Sequence, residues 1–113
     1  MRLPNADRAE IDAQKLHGYL LSASHPVGRF KARFFAALGY SAERWQELEA
    51  DLRAQHLTQE ALLSESMPEG QLFTIRGILK GPKGQSAVVL SVWFVPATRA
   101  VPRFVTAYPG GPK

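Results

Sequence analysis

The spacing of apolar residues changes character once along this chain. Up to about residue 56 they recur every three or four positions, as on a helix face, and from about residue 61 they alternate, as on a strand. In the first region Leu16, Leu20 and Leu21 share one side of a helix expected over Ile11 to Leu21, with Asp12 near its start. Ser22 to Pro26 then has capping chemistry: Ser24 or His25 can precede a first turn, and Pro26 fits a first helical position, where its missing N–H loses nothing. A second helix is expected to run to Leu38. Advancing roughly 100° per residue, Val27, Phe30, Phe34, Ala37 and Leu38 fall on one side. Lys31 lies at the border of that side beside Phe35, and Arg29 and Arg33 point elsewhere. Gly39 is the natural stop, because glycine takes the left-handed conformation past a helix end. Ser41 is placed to cap a third helix whose Trp45, Leu48 and Leu52 oppose a charged face and which ends near His56.

In the alternating region Ala61 to Met67 is a weaker strand candidate, closed by a turn at Pro68-Glu69-Gly70. Gln71 to Lys80 and Gln85 to Val95 read as strands joined by a Gly81-Pro82-Lys83-Gly84 hairpin loop. With Lys80 opposite Gln85, Ile75 faces Leu90 and Phe73 faces Val92 on an apolar side, leaving Thr74, Arg76, Ser91 and Trp93 on the other. A last strand runs from Arg103 to Tyr108. Strict alternation there puts Phe104, Thr106 and Tyr108 on one face and Arg103 and Val105 on the other, so Arg103 and Tyr108 meet only if a bulge intervenes. Helices followed by strands make the expected class α+β: about three N-terminal helices packed on a four-stranded antiparallel meander. The 113 residues are expected to form a single domain, with 110–113 as a frayed tail.

Charge sharpens this picture. The net charge is +4, and residues 13–42 and 70–113 contain no Asp or Glu, so two basic regions could share one surface and attract an anionic partner, RNA foremost. The chain has no cysteine, which excludes disulfides and thiolate metal sites. The start lacks the apolar core of a signal peptide and no run approaches a membrane span, so a cytoplasmic protein is the default expectation.

Candidate chemistry then falls on few residues. Lys31, a cation at an apolar border, either snorkels to water or points into a cleft where it could hold a phosphate. His25 either caps the second helix or serves proton transfer beside an anion at the helix start. His17 reads as solvated and His56 as a helix-end residue tolerating positive charge. Trp93 beside Arg76 could stack a base above a held phosphate. Histidine spacing fits no metal, the 81–84 loop lacks the pattern of a nucleotide cradle, and no acid completes a triad, so no cofactor and no metal are expected. A set of His, Lys, Arg, Thr and Tyr suits metal-independent RNA cleavage, in which the 2′-hydroxyl attacks the neighbouring phosphate.

His25-Pro26-Val27-Gly28-Arg29-Phe30-Lys31-Ala32-Arg33-Phe34-Phe35, then Leu38-Gly39-Tyr40, the Gly77 to Gly84 hairpin and Val105-Thr106-Ala107-Tyr108-Pro109 resemble a family of small bacterial domains of unknown function. These domains look like members of the barnase-like and RelE-like ribonuclease toxin superfamily. The resemblance implies a catalytic set of His25, Lys31, Thr106 and Tyr108, with Arg29, Arg76 and Arg103 as RNA or phosphate holders. It also implies an acidic antitoxin or immunity protein as partner. Several such toxins carry two active-site histidines, and this chain offers only His25 near a motif. Two functions follow: an endoribonuclease toxin, or a non-catalytic RNA- or protein-binding module such as a partner protein of a toxin system. A decayed site on a fold kept for oligomerisation is a third possibility.

Overall fold

The helices occupy one face of the sheet because each element gathers its apolar side chains on one side, the helices by recurrence every three or four residues and the strands by alternation. A computed structural model describes residues 1–111; Pro112 and Lys113, with the end of the expected frayed tail, lie outside the described residues. Gly110 is tied down, its N–H donating to the Val88 carbonyl at 2.8 Å and its carbonyl accepting from Arg76 Nε at 3.0 Å. After a 3-10 turn at Ala6–Arg8, helix α1 spans 13–20, beginning as Ala13–Lys15 and passing into a π turn at Leu16–Leu20. Asp12 starts it, its side chain accepting from the Gln14 N–H at 2.9 Å. Helix α2 is Gly28–Ala37 and stops at Gly39, whose φ of 103° suits glycine. Helix α3 spans 45–56, an α segment Trp45–Asp51 continuing into a π turn Leu52–His56 after a 3-10 turn at Ala42–Arg44. Ser41 precedes that turn without a side-chain capping bond.

Strands β1 (Leu62–Met67), β2 (Gly70–Lys80), β3 (Ser86–Pro96) and β4 (Arg103–Pro109) form a four-stranded antiparallel meander in sequence order, and the class is α+β with the helices N-terminal to the sheet. Leu16, Leu20, Phe35, Leu48 and Leu52 pack with Phe73, Ile75, Leu79, Val89, Trp93 and Ala107 in one core. Each Val, Leu, Ile or Phe side chain among them contributes about 1.5–3 kcal/mol by leaving water.

Three register details depart from the sequence-based expectation. The hairpin loop is one residue longer on its C-terminal side: Gly81 N–H donates to the Gln85 carbonyl, and Lys80 pairs with Ser86. A shift of one residue exchanges the two faces of β3. Ile75 therefore faces Ser91 and Phe73 faces Trp93, which is 0% exposed, while Leu90, Val92 and Phe94 turn to the opposite face with Thr74 and Arg76. Secondly, the pairing of β3 with β4 slips between Val92 and Trp93, so that Thr106 stands opposite Val92 but Phe104 opposite Trp93, leaving Val105 as the bulged residue. Phe104 is thereby buried against Trp93, and Arg103, Thr106 and Tyr108 align with Phe94, Val92 and Leu90.

Thirdly, α2 is rotated from its expected orientation. It buries Gly28, Ala32 and Phe35, while Val27 and Phe30 are 57% and 65% exposed. Small residues win this face because the helix start lies almost on α1: a Cβ at Gly28 would sit 2.0 Å from the Tyr19 carbonyl oxygen. Lys31 keeps its place beside the buried Phe35 and stays half-buried.

Candidate active site

The close approach at Gly28 sets the geometry of a cluster where α1, α2 and the edge strand β4 meet. Lys31 reaches from α2 to donate to the Tyr19 hydroxyl at 2.6 Å and to Thr106 Oγ1 at 3.2 Å. Those two oxygens are themselves 3.3 Å apart. The Lys31 ammonium is also 5.8 Å from the centroid of the Tyr108 ring, a cation–π distance. Three of the four catalytic residues expected from the sequence, Lys31, Thr106 and Tyr108, thus converge on one point. The β4 bulge makes this possible by resetting the alternation just before Thr106.

His25, the fourth, adjoins the cluster in a different role from a general base. Its Nδ1 accepts from the N–H groups of both Val27 and Gly28 at 3.0 Å, capping the first turn of α2. A nitrogen that accepts two hydrogen bonds carries no proton, so the ring proton sits on Nε2, which can donate but cannot accept. The ring packs edge-on against Tyr19, with centroids 5.0 Å apart.

Tyr19 was not singled out from the sequence, and it is the hub of the cluster. Burial alone would raise its phenol, but hydrogen bonds with Lys31 and Thr106 and the nearby charges of Lys31 and Lys15 hold it below its ordinary value of 10. The available signal was its spacing from Leu16: three residues on, it falls at the border of the apolar stripe, where a ring can be buried and its hydroxyl kept at the surface. It also lies on a π turn, a local irregularity that helical periodicity does not announce.

The remaining expected residues spread out. Arg103 lies over the Phe94 ring, 5.4 Å from its centroid. Arg76, on β2, faces Leu90, which in turn faces Tyr108, so Arg76 shares a transverse row of the sheet with the cluster. Arg29 is drawn away: it donates to the Pro26 carbonyl at 2.8 Å and covers the Phe30 ring at 4.5 Å, lining a groove of about 640 Å³ with His17, Phe30 and Arg33. Trp93 cannot stack a base, because the hairpin register turns it into the core. His17 is half-buried, its ring 5.8 Å from that of Trp45.

His56 is 0% exposed and sits in a closed chain of hydrogen bonds, not at a charged helix end. Its Nε2 is 3.1 Å from the Gly77 carbonyl, its Nδ1 is 2.8 Å from Ser91 Oγ, and Trp93 Nε1 donates to the same oxygen at 2.9 Å. For the neutral ring that burial favours, one proton arrangement satisfies all three: Trp93 to Ser91, Ser91 to His56 Nδ1, and His56 Nε2–H to Gly77. Burial is the main cause holding His56 below its ordinary 6.5, against the opposing bond to Gly77. Among the described residues, no group of three His, Cys, Asp or Glu side chains could hold a metal ion, and no helix is long and apolar enough to cross a membrane.

Comparison with known proteins bears on fold and family. A chain of the contact-dependent growth inhibition toxin–immunity protein complex from Klebsiella pneumoniae 342 superposes with a TM-score of 0.66 at 20% identity, covering 88% of this chain and 97% of that one. At that identity the likeness is one of fold. No curated protein matches the sequence. A family model matches residues 2–111, and the chain belongs to the family described as Domain of unknown function (DUF6883).

Proposed function

We propose that this protein is the toxin of a toxin–immunity or toxin–antitoxin pair and that it cleaves RNA by attack of a 2′-hydroxyl on the adjacent phosphate, without a metal. One observation carries the reading. Lys31 is held by two hydroxyl groups at the meeting of three elements and, among the described residues, pairs with no carboxylate. A half-buried ammonium with neutral partners lacks a counter-charge, and a phosphate supplies one.

The chemistry follows from the partners. Tyr19, neutral before RNA binds, gives its proton to solvent and, as the phenolate that its hydrogen bonds with Lys31 and Thr106 favour, takes the 2′-hydroxyl proton as the 2′-oxygen bonds to phosphorus. Lys31 and Thr106 hold the phosphate oxygens as charge builds, and the His25 Nε2–H adds a donor beside them. As the bond from phosphorus to the 5′-oxygen breaks, Tyr108 gives that oxygen a proton, leaving a 2′,3′-cyclic phosphate and a 5′-hydroxyl. Arg76, on the same sheet row, meets the flanking backbone. The similarity to a chain of a toxin–immunity complex supports the setting. The net charge of +4 favours the toxin side, because an acidic neutralising protein complements a basic nuclease.

The test is cleavage of end-labelled RNA by the purified protein in excess chelator, with product ends identified, alongside growth arrest on induced expression. Lys31→Ala and Tyr19→Phe are each expected to lower cleavage by at least about a hundredfold and to relieve the growth arrest while remaining folded. Undiminished cleavage in both variants sinks the site. One observation favours a second reading, a non-catalytic RNA- or protein-binding module: His25, the nearest imidazole, is committed to capping α2. That reading expects harmless expression, with RNA bound in a salt-dependent manner and left intact.

A further inference from the structure

The register shift that buries Trp93 turns Phe94 outward into a cavity of about 670 Å³ at the start of β4. This volume falls within the range of sites that enclose a small organic group. Phe94 and Leu72 contribute to its apolar surface together with Ile11, Phe104 and Val105, and Arg103 and Lys15 supply its cations. Two carboxylates, Glu10 and Asp12, share the lining, but both are engaged elsewhere. Glu10 pairs with Arg99 at 2.9 Å, and Asp12 accepts from the Gln14 N–H. Among the described residues, neither Arg103 nor Lys15 pairs with a carboxylate. The cavity therefore combines an aromatic and guanidinium platform with two cations that pair with no carboxylate, beside one carboxylate, Asp12, that keeps its charge while capping α1.

Its position ties it to the Lys31 cluster. Val105 lines the cavity and Thr106 belongs to the cluster. Lys15 lines the cavity, and its charge acts on Tyr19 one turn along α1. The row of Leu72, Phe94 and Arg103 across the sheet lies next to the row of Thr74, Val92 and Thr106. That is a step of about 7 Å along β3.

Building on the RNA-cleavage reading, we propose that this cavity is a nucleotide subsite: it takes the base next to the scissile phosphate in single-stranded RNA, stacked on the Arg103–Phe94 pair. Lys15 and the N–H edge of Arg103 meet the flanking phosphate. A flat guanidinium lying on a ring offers its outer face to a base and its donors to phosphate, and bases that are not paired are recognised in this way. Lysine at position 103 could not do both.

The experiment measures binding of the full chain to a fluorescent single-stranded 2′-O-methyl RNA, which lacks the attacking hydroxyl, across a salt series. Arg103→Gln is expected to weaken binding about tenfold and to flatten the salt dependence by about one phosphate contact. Phe94→Leu is expected to weaken binding by about tenfold with the salt slope unchanged, and Phe94→Trp to restore it. Thermal melting of each variant confirms that it is folded. Wild-type affinity and slope in both Arg103→Gln and Phe94→Leu overturn the subsite while leaving the Lys31 site standing. If the wild type binds this probe and the variants lose it, yet unmodified RNA stays intact, the subsite holds and the cleavage reading falls. No binding by the wild type overturns both.

Discussion

Two polar clusters in this molecule contain hydrogen bonds of similar length and have opposite character. His56, Ser91 and Trp93 form a chain between α3 and the sheet in which every proton has one destination, from the Trp93 N–H donor at one end to the filled Gly77 carbonyl at the other. Lys31, Tyr19 and Thr106, where α1 and α2 meet β4, form a triangle around an ammonium with no counter-charge among the described residues. Among the described residues, no buried side-chain nitrogen or oxygen lacks a partner, so satisfaction alone does not separate the two. The unbalanced charge does. A buried network that is complete stabilises and specifies the core; one left incomplete in charge at the surface calls for a ligand.

Breaking the open cluster should give the largest effect. Lys31→Ala is expected to lower RNA cleavage by about 10²–10³-fold, as when a donor to a developing oxyanion is removed, with the midpoint of urea unfolding little changed. Single-turnover cleavage beside a urea titration checks this, and equal losses in both would make the two clusters alike. Breaking the closed chain should reverse the pattern. His56→Ala is expected to destabilise the fold by about 3 kcal/mol, since it leaves the Ser91 hydroxyl and the Gly77 carbonyl unpaired and opens a cavity, while cleavage per folded molecule stays at the wild-type level.

A matched pair sharpens the contrast. Ser91→Ala strands the Trp93 N–H and His56 Nδ1 and should destabilise by about 1–3 kcal/mol, whereas Thr106→Val, at the half-buried cluster, should change stability by less than about 1 kcal/mol and reduce cleavage. The smallest effect is one of pH. Burial holds the folded-state pKa of His56 below 6.5, so the unfolded chain binds its proton more readily. The His56 contribution is complete above 6.5 and is lost as pH falls through that value toward the folded-state one, with a slope of at most about 1.4 kcal/mol per pH unit. Urea unfolding across this range should show the slope in the wild type and its loss in His56→Gln.

Much of this was legible before any coordinates. The change of period near residue 60 separates helices from strands, Gly39 marks the end of α2, and Lys31 stands at an apolar border, where it meets the Tyr19 and Thr106 hydroxyls of the candidate site. The misread positions share a cause. Residues 88–95 are apolar on both faces except for Ser91, so alternation could not choose a register, and a serine was assigned to water. In the fold Ser91 lies inside because His56, 35 residues earlier, supplies its acceptor. The sequence around His56 marks only a helix-end residue tolerating positive charge, because nothing local reveals that partner. On α2, Phe30 and Phe34 outweighed Gly28 and Ala32 as signs of a core face, yet the small residues permit the contact with Tyr19.

The sequence by itself determined the order and type of the elements, the α+β class, and the residue types available at the site, because period, caps and charge act over a few neighbouring residues. Only the tertiary structure decided the one-residue hairpin shift that exchanges Trp93 for Phe94. It alone decided the bulge at Val105 that aligns Thr106 and Tyr108 with Arg103, and the approach of α1 that brings Tyr19 to Lys31. Each of these is settled by contacts between segments far apart in the chain, where burial and hydrogen-bond partners outweigh local preference.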